Sequence, residues 1–331
     1  MSALADALAG ALGDEVRELR RIPGGSLNDA WAATLASGER IFVKTSADAA
    51  PGVYTAEATG LRWLAAARAL PLPFPRAVLD AAAPAPDAPA PDAPAPDAPA
   101  PDADAAPPIR LLALPWIDAA PPAPDADERL GRGLARLHAA GASRFGAPDG
   151  SWRIGPISIA ESDAAAPAAA APAGTRAGAA TWPAFYAEHR LRPLARLAHA
   201  RGGLDDAALR LTERVIERLH GGEPGIAGPP EPPARLHGDL WGGNVMHGPD
   251  GEPWLIDPAA HGGHREVDLA MLRLFGGPGP RAFAAYEEVA PLAPGAAERV
   301  ALWQAAPLLL HAALFGGGYG PRAAAALRGY V

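Results

Sequence analysis

The first part of the chain alternates between strand-like and helix-like patterns of apolar residues. In AWAATLASGERIFVKT, residues 30–45, two apolar runs flank a Ser-Gly pair, which predicts two strands joined by a turn. YTAEATGLRWLAAARAL, residues 54–70, has helical spacing and stops at a proline. Two shorter apolar runs, residues 74–80 and 109–118, predict further strands. This region is therefore expected to combine a sheet with one helix.

The remainder of the chain has mostly helical spacing. DERLGRGLARLHAAG, residues 127–141, places three leucines and a histidine on one face. Residues 182–203 and 205–222 are amphipathic in the same way. The sequence thus predicts an α+β chain with two lobes. The N-terminal lobe, residues 1–117, has an antiparallel sheet and one helix, and the larger C-terminal lobe, residues 118–331, is mainly helical.

Two segments of biased composition break this pattern. Residues 81–108 repeat Pro-Asp-Ala-Pro-Ala, which offers few backbone donors and little apolar surface to bury. This composition predicts an extended, disordered insertion between two strands of the N-terminal lobe. It is interpreted as a spacer, and the sequence leaves any further role open. Residues 160–180, rich in alanine and proline, predict a second loop.

Charge and composition narrow the possible functions. The net charge is −8, but six aspartates lie within residues 80–108, and the rest of the chain carries only −2. That near-neutral balance argues against nucleic acid as a partner. There is no cysteine, which excludes disulfides and thiolate metal sites. No apolar run approaches the roughly 20 residues of a membrane span, and no signal peptide is visible. A cytoplasmic protein without a membrane partner is expected.

The strongest chemical signal is LHGDLWGGNVM, residues 236–246, followed closely by WLIDPA. Asp239 and Asn244 are five residues apart, and Asp257 ends the short apolar run. Phosphoryl transfer needs a base for the incoming hydroxyl and oxygen ligands for Mg²⁺. This arrangement is typical of kinases, with Asp239 as the base and Asn244 and Asp257 as metal ligands. A turn beside a hairpin is the alternative, and the presence of both strings disfavours it.

A glycine-containing segment near the N terminus is a candidate phosphate loop. In GGSLNDAW, Gly24 and Gly25 let the backbone approach a phosphate, and Ser26 and Asn28 can donate further hydrogen bonds. An ordinary turn is the alternative interpretation. The segment precedes the predicted strand pair, which is the order that a kinase requires.

Lys44, in IFVKT, is the only lysine of the chain. In protein kinases a lysine on the third strand holds the nucleotide phosphates and pairs with a glutamate on the following helix. Glu57, in the predicted helix, lies thirteen residues further on and suits that role. It could instead be a solvated surface charge.

Together these strings resemble the fructosamine kinase family, also called ketosamine 3-kinases. The likeness covers nearly the whole chain except the two biased segments, and it includes GHREVDLAM and ALFGGGYG. GHREVDLAM beside HGDLWGGN separates this family from aminoglycoside and choline kinases. The resemblance implies a protein-kinase-like two-lobed fold. It also implies ATP-dependent phosphorylation of the 3-hydroxyl of a ketosamine, such as a ribulosamine or fructosamine, either free or on a glycated protein lysine, as a deglycation step.

The resemblance also assigns the remaining site residues. Pro115 and Ile117 fall in the segment that joins the lobes and contacts adenine through backbone groups. Proline keeps the carbonyl acceptor but lacks an N–H, so Ile117 remains the donor. Asp268 is expected to accept backbone N–H groups of the catalytic loop. Residues expected to support the structure or to touch substrate are His237, Trp241, His264, Arg265 and Glu266.

Two alternatives and several properties stay open at this stage. A kinase of the same fold could act on another polyol, an amino alcohol or an aminoglycoside, although the catalytic loop lacks the acidic cluster that a polycation would favour. A pseudokinase is disfavoured because all four key polar residues are present. The sequence leaves open which sugar the substrate carries, whether the substrate is free or protein-bound, and what the oligomeric state is. It also leaves open the substrate contacts from residues 145–180, where the family pattern dissolves into alanine and proline.

Overall fold

A computed structural model describes the chain over residues 2–23, 28–80, 109–161, 181–221 and 226–331. The insertion at residues 81–108 and nearly all of the second biased segment lie outside the described residues. Two compact units are present. The first comprises Met1–Thr59, Pro73–Trp116 and Arg153–Ile157, and the second Gly60–Leu72, Ile117–Trp152 and Ser158–Val331.

The first unit is built on a five-stranded antiparallel sheet with the strand order β1-β2-β3-β5-β4. Its elements in chain order are α1 (Ala3–Leu12), β1 (Val16–Ile22), β2 (Asp29–Leu35), β3 (Arg40–Thr45), the start of α2 (Val53–Ala65), β4 (Ala77–Leu79) and β5 (Leu111–Pro115). Leu79 pairs with Leu111, so the segment between β4 and β5 joins two neighbouring strand ends.

The α1 helix is an element that the sequence interpretation missed. Ser2 caps its N terminus by accepting the N–H of Ala5, and Gly13 ends it in the left-handed conformation. Leu8 is fully buried and packs with Ile41 of β3 in the core of this unit. The first residues therefore form a capped amphipathic helix that covers the sheet.

The second unit is mainly helical. Its helices after α2 are α3 (Ala126–Ala139), α4 (Trp182–Tyr186), α5 (Arg192–Ala200), α6 (Asp206–His220), α7 (Glu266–Leu272), α8 (Pro280–Val289), α9 (Ala296–Phe315) and α10 (Tyr319–Leu327). A π-helical turn, Ala187–Leu191, joins α4 to α5. Among the helices of the described residues, none combines the length and apolar character of a membrane span.

Three short strand pairs are also present among the described residues. They are β6 (Ser151–Ile154) with β7 (Ile157–Ala160), β8 (Ala234–Leu236) with β11 (His261–Gly263), and β9 (Val245–His247) with β10 (Pro253–Leu255). The last two pairs frame the segment that holds the predicted catalytic residues. With the antiparallel sheet of the first unit, this architecture confirms the expected α+β class.

Two glycines let α3 pack closely against its neighbours. A Cβ at Gly131 would lie 2.0 Å from the carbonyl oxygen of Ala282 on α8. A Cβ at Gly133 would instead meet the side chain of Leu70, at 2.4 Å. Backbone cannot move aside as a side chain can, so the first contact fixes the separation of α3 and α8.

We expect Gly131→Ala to destabilise the protein by about 1–3 kcal/mol, the usual cost of overpacking. Gly133→Ala, in the same helix, should cost less because the terminal carbons of Leu70 can rotate away. Thermal unfolding of both variants, followed by circular dichroism, provides the comparison. Equal melting temperatures for the two variants would contradict the assignment of a rigid α3–α8 contact.

Candidate active site

The loop between β8 and β9 carries four predicted site residues, His237, Asp239, Trp241 and Asn244. It leaves β8 through Gly238, whose φ of 84° lies in the left-handed region. A Cβ at this position would lie 2.1 Å from the carbonyl oxygen of Ala259. Only glycine meets both conditions without strain. The path from β8 to Asp239 therefore depends on the glycine of the HGD string.

Asp268, on α7, holds this loop through its carboxylate. Oδ2 accepts the N–H of His237 at 2.8 Å, and Oδ1 accepts the N–H of Gly238 at 2.9 Å. The side chain is fully buried and also contacts His138 Nε2 at 3.3 Å. Burial raises the pKa of Asp268, but the contacts with His138 and the loop outweigh it and hold that pKa below its ordinary value. An ionised carboxylate thus fixes the backbone just before Asp239.

The histidine beside Asp268 is itself held in place. His138, on α3, is buried, and its Nδ1 lies 2.8 Å from the hydroxyl of Tyr286 on α8. Burial raises the pKa of Tyr286, so the phenol stays protonated. In the sequence, His138 is only a polar residue on an apolar helix face. Its partners lie 130 and 148 residues away, so no local signal reveals them.

His237 connects the catalytic loop to the strand that leads to Asp257. Its Nε2 lies 2.8 Å from the carbonyl oxygen of Ile256, and its Nδ1 lies 3.3 Å from the backbone nitrogen of Asp239. A neutral ring with its proton on Nε2 satisfies both contacts. The ring therefore braces two loops against each other.

Asn244 is oriented by Asp239, the residue predicted to be the base. Its Nδ2 donates to the backbone carbonyl of Asp239 at 2.8 Å and to Oδ2 of the same residue at 3.0 Å. The backbone of Asn244 also accepts the N–H of Ile256 at 3.1 Å. With the amide nitrogen committed to Asp239, the amide oxygen is the atom of this side chain that can bind a cation.

Asp257 follows β10 in an unusual backbone conformation. Its φ of 56° lies in the left-handed region, which aspartate tolerates better than most residues. Strained positions of this kind persist only where the surroundings hold them, and they cluster at functional sites. The backbone hydrogen bond between Ile256 and Asn244 ties this turn to the catalytic loop.

The donor set of Asn244 and Asp257 suits Mg²⁺. Both side chains offer oxygen atoms, which a hard divalent cation prefers. Within the described ranges no group of three or more His, Cys, Asp or Glu residues could hold a metal by itself. Mg²⁺ commonly takes one or two protein oxygens and completes its shell with substrate phosphates and water. The residues present therefore fit a metal that arrives with a nucleotide.

In the first unit, Lys44 and Glu57 form an ion pair. Lys44 Nζ lies 2.7 Å from Glu57 Oε1, and the two side chains are 6% and 15% exposed. Lys44 is near the end of β3, between Ala30 of β2 and Leu112 of β5, and Glu57 is on α2. Such low exposure is inconsistent with a solvated surface charge at either position.

The candidate phosphate loop is only partly described. Gly24, Gly25 and Ser26 lie outside the described residues. Asn28, at its end, accepts a hydrogen bond from the hydroxyl of Tyr54 at 3.0 Å. Tyr54 belongs to α2, so the same helix contacts the end of this loop and carries Glu57.

The segment proposed to contact adenine begins at the end of β5. Pro115 pairs with Ile41 of β3, and the N–H of Trp116 donates to the carbonyl of Arg40 at 3.1 Å. The Arg40 guanidinium lies 5.4 Å from the centre of the Trp116 ring. Ile117 follows directly in the chain.

The GHRE string lies in a buried polar network. Glu266 accepts two hydrogen bonds from Arg299, at 2.9 and 2.6 Å, and one from Trp303 Nε1 at 2.8 Å. Arg265 donates to both carboxylate oxygens of Glu231, at 2.8 and 2.9 Å. His264 stacks on Trp303, with ring centres 5.5 Å apart. These contacts anchor the N-terminal end of α7, the helix that carries Asp268.

Trp241 is the most accessible aromatic residue of the catalytic loop, at 38% exposed. Its ring covers Gly243, where a Cβ would lie 2.2 Å from the indole. Gly242 donates its N–H to the carbonyl of Gly276 at 2.9 Å. Gly243 thus permits the flat indole to lie against the loop, and Gly242 permits the close approach of the backbone at Gly276.

These elements define a protein-kinase-like phosphotransferase: a strand lysine paired with a helix glutamate, a loop aspartate bonded to an asparagine, and a second aspartate after a hairpin. The sequence model of the family described as fructosamine kinase matches residues 1–158 and 171–331. The chain belongs to the fructosamine kinase family, which confirms the resemblance seen in its motifs.

Individual relatives agree with this assignment. A probable ketoamine kinase from Synechocystis sp. is 30% identical over 306 residues, which cover 92% of this chain and 87% of that protein. A chloroplastic protein-ribulosamine 3-kinase from Oryza sativa subsp. indica is 38% identical over 152 residues, 46% of this chain and 43% of that protein. The crystal structure of a "putative fructosamine-3-kinase" from Thermobifida fusca is 38% identical, with a TM-score of 0.77 and coverage of 98% and 97%. The fold and the ATP-dependent phosphotransferase class are thereby confirmed.

A buried histidine beside the catalytic loop couples stability to pH. His261, on β11, is 3% exposed, and its Nδ1 would lie 2.7 Å from a Cβ at Gly238. Burial, together with the charge of Arg190, lowers the pKa of His261 to about 4, although Glu161 and Asp268 oppose the shift. The ring is therefore neutral in the folded protein at neutral pH.

We expect His261→Gln to flatten part of the acid dependence of stability. The unfolded state takes up a proton near pH 6.5, and the folded state does so only near pH 4, so stability falls across that window as the pH decreases. Between pH 7 and pH 5 the histidine should cost about 2 kcal/mol. Urea unfolding of both proteins at the two pH values gives the difference. An equal loss in the glutamine variant would exclude His261 as its source.

Proposed function

We propose that this chain transfers the γ-phosphoryl group of ATP to the 3-hydroxyl of a ketosamine. The observation that carries the proposal is the loop held by Asp268, in which Asn244 donates to the carboxylate of Asp239 at 3.0 Å. Membership of the family, and relatives named as ketoamine and protein-ribulosamine kinases, supports the acceptor class.

Asp239 is the proposed base. As the substrate oxygen forms its bond to the γ-phosphorus, the bond to the β–γ bridging oxygen breaks and ADP leaves. The hydroxyl proton passes to the carboxylate of Asp239. The bond from Asn244 Nδ2 restricts that carboxylate to one orientation, and Asp268 fixes the backbone beneath it.

The contacts with the nucleotide are proposed residue by residue. Lys44 orients the phosphates from β3 while Glu57 keeps its ammonium in place. Gly24 to Asn28 supply backbone donors to the phosphates, and Pro115 and Ile117 supply backbone groups to adenine. Asn244 and Asp257 would hold Mg²⁺, which neutralises charge on the phosphate oxygens when bound.

The choice of acceptor has a chemical consequence. In a ketosamine, the carbonyl at C2 acidifies the hydrogens at C1. A phosphate at C3 can then leave as inorganic phosphate once a C1 proton is lost, and the adduct with the amine breaks down. Phosphorylation at the 3-hydroxyl is therefore a plausible deglycation step, for free adducts or for those on protein lysines.

A panel of acceptors tests the proposed substrate class. ATP turnover would be measured with ribulosamines and fructosamines, each free and on a carrier protein, and with choline and an aminoglycoside. Turnover on at least one ketosamine, with phosphate located at C3 by NMR, is the expected result. Turnover confined to choline or the aminoglycoside would instead assign the chain to another small-molecule kinase of the same fold.

Asp239→Ala should reduce turnover by roughly 10²- to 10⁴-fold, the usual contribution of a general base. ATP affinity, measured by calorimetry, should change little because Asp239 acts on the acceptor. Asp250→Ala, in the exposed turn between β9 and β10, is the matched control and should behave like the unmodified protein. Turnover of Asp239→Ala within about tenfold of that control excludes the base role.

Lys44 permits a readout that is independent of turnover, because it is the only lysine of the chain. An acyl-phosphate derivative of ATP, which acylates amines beside the nucleotide phosphates, should modify Lys44, and excess ATP should protect it. Lys44→Arg should lose both labelling and most activity, because a planar guanidinium does not replace an ammonium at this buried position. Peptide mass spectrometry gives the site. Labelling that excess ATP leaves unchanged would exclude contact between Lys44 and the nucleotide.

A further inference from the structure

Asp80, in the first unit directly after β4, is an aspartate with a buried side chain. The side chain of Asp80 is 0% exposed. Its carboxylate accepts three backbone hydrogen bonds: Oδ1 from the N–H of Gly52 at 3.0 Å, and Oδ2 from those of Tyr54 at 2.8 Å and Thr55 at 3.0 Å. All three donors lie at the start of α2.

These donors are the groups that a helix cannot satisfy internally. The first N–H groups of any helix lack an intrahelical acceptor, and they carry the positive end of the helix dipole. The residue before Val53, the first residue of α2, is Gly52, which has no side chain to serve as a cap. The capping carboxylate comes instead from a strand end 26 residues beyond Tyr54 in the chain.

A cap supplied from a distant strand does more than stabilise the helix end. A local serine or aspartate would satisfy the same N–H groups but would move with the helix. Asp80 belongs to the sheet, because β4 pairs with β5 and β5 pairs with β3, the strand of Lys44. Its three hydrogen bonds therefore fix the start of α2 relative to the strand that carries Lys44.

Two side chains of α2 depend on this position. The N–H of Tyr54 bonds to Asp80 while its hydroxyl bonds to Asn28, and the side chain is almost fully buried. Glu57, three residues further and on the same helix face, reaches Lys44. A rotation or shift of α2 at its first turn would move both contacts together.

Arg110 joins this cluster from the start of β5. Its Nε lies 3.7 Å from Asp80 Oδ1, and its Nη1 donates to the carbonyl of Ala49 at 3.0 Å. Its own carbonyl accepts the hydroxyl of Thr45, next to Lys44, at 2.6 Å. The loop between β3 and α2 is thus held at both ends by residues of the sheet.

We propose that Asp80 is a positioning residue for phosphoryl transfer: it docks the N terminus of α2 on the sheet and so keeps Glu57 in contact with Lys44. The proposal rests on the proposed function, in which this pair orients the ATP phosphates. Asp80 acts through Glu57, so its loss should impair use of ATP and should leave ketosamine binding largely intact.

The first experiment compares Asp80→Ala with Asp205→Ala. Asp205 caps α6 by accepting the N–H of Ala208 at 2.7 Å, so its loss removes a helix cap that is unrelated to the Lys44–Glu57 pair. We expect kcat/KM for ATP to fall roughly 10- to 100-fold in Asp80→Ala, as for a displaced catalytic group, with the ketosamine KM within about threefold of the unmodified protein. Asp205→Ala should lower the melting temperature but keep both constants. Equal kinetic effects in the two variants would overturn the proposal.

The second experiment asks whether Asp80 acts through Glu57. In a Glu57→Gln background, Asp80→Ala should lower kcat/KM for ATP by less than about threefold, because coupled residues are not additive. A full additional loss in that background overturns the inference and leaves the proposed function standing. If Glu57→Gln alone leaves the use of ATP unchanged, the proposed role of the Lys44–Glu57 pair is wrong. This outcome differs from a failure of the Asp80 proposal, so the experiment distinguishes the two.

Asp80→Asn is a milder variant that tests the proposal if Asp80→Ala does not fold. Its amide keeps one acceptor oxygen for the N–H groups of α2 and places an N–H₂ group where the second oxygen was. An intermediate loss of kcat/KM for ATP is expected, together with slower acylation of Lys44 by the ATP probe at a temperature where circular dichroism shows a folded protein. Unchanged acylation and unchanged use of ATP in this variant would count against the proposal.

Discussion

A buried, ionised carboxylate that accepts backbone N–H groups is the interaction on which the catalytic loop depends. Asp268 binds the N–H groups of His237 and Gly238, the two residues before Asp239. Gly238 has no side chain and lies in the left-handed region, so this turn is held through its backbone N–H groups. An ionised acceptor makes these hydrogen bonds stronger than neutral ones. The backbone just before Asp239 is consequently fixed by a residue on another element.

A similar set of backbone hydrogen bonds to an aspartate is present in the first unit. Asp80 accepts three N–H groups at the start of α2, as Asp268 accepts two in the catalytic loop. In both cases a fully buried aspartate joins a segment that carries a site residue to a separate, well-packed element. Burying a carboxylate opposes folding unless its hydrogen bonds are satisfied. Several satisfied bonds to rigid backbone offset that penalty and restrict the segment to one geometry.

Two buried ion pairs lie in the second unit, and the first of them supports the helix that carries Asp268. Glu266 and Arg299 anchor the beginning of α7, so the helix that presents Asp268 cannot rotate freely. Glu161 accepts a hydrogen bond from Arg190 at 2.6 Å and one from the N–H of Ala147, also at 2.6 Å. The Arg190 guanidinium lies over the ring of Trp152, with 4.6 Å between its central carbon and the ring centre. Breaking any one of these buried pairs would leave an uncompensated charge.

The sequence by itself determined the family and the α+β class, and it predicted which residues carry the chemistry. Local spacing was enough to predict Lys44, Glu57, Asp239 and Asn244, because these residues lie in short strings that follow one another in the order that a kinase requires. The α1 helix was not predicted, although its serine cap and its apolar spacing are local features of the sequence.

The tertiary structure alone decided how those residues are held. In the sequence, Asp80 is one of the six aspartates of residues 80–108 and lies at the edge of that biased segment. His138 is one polar residue on an apolar helix face. Their hydrogen-bond partners are 25 to 148 residues away, and contacts at such separations produce no periodic pattern in the sequence. Periodicity reports which face of an element is buried. It does not report which buried polar groups meet, because that depends on the packing of elements that are distant in sequence.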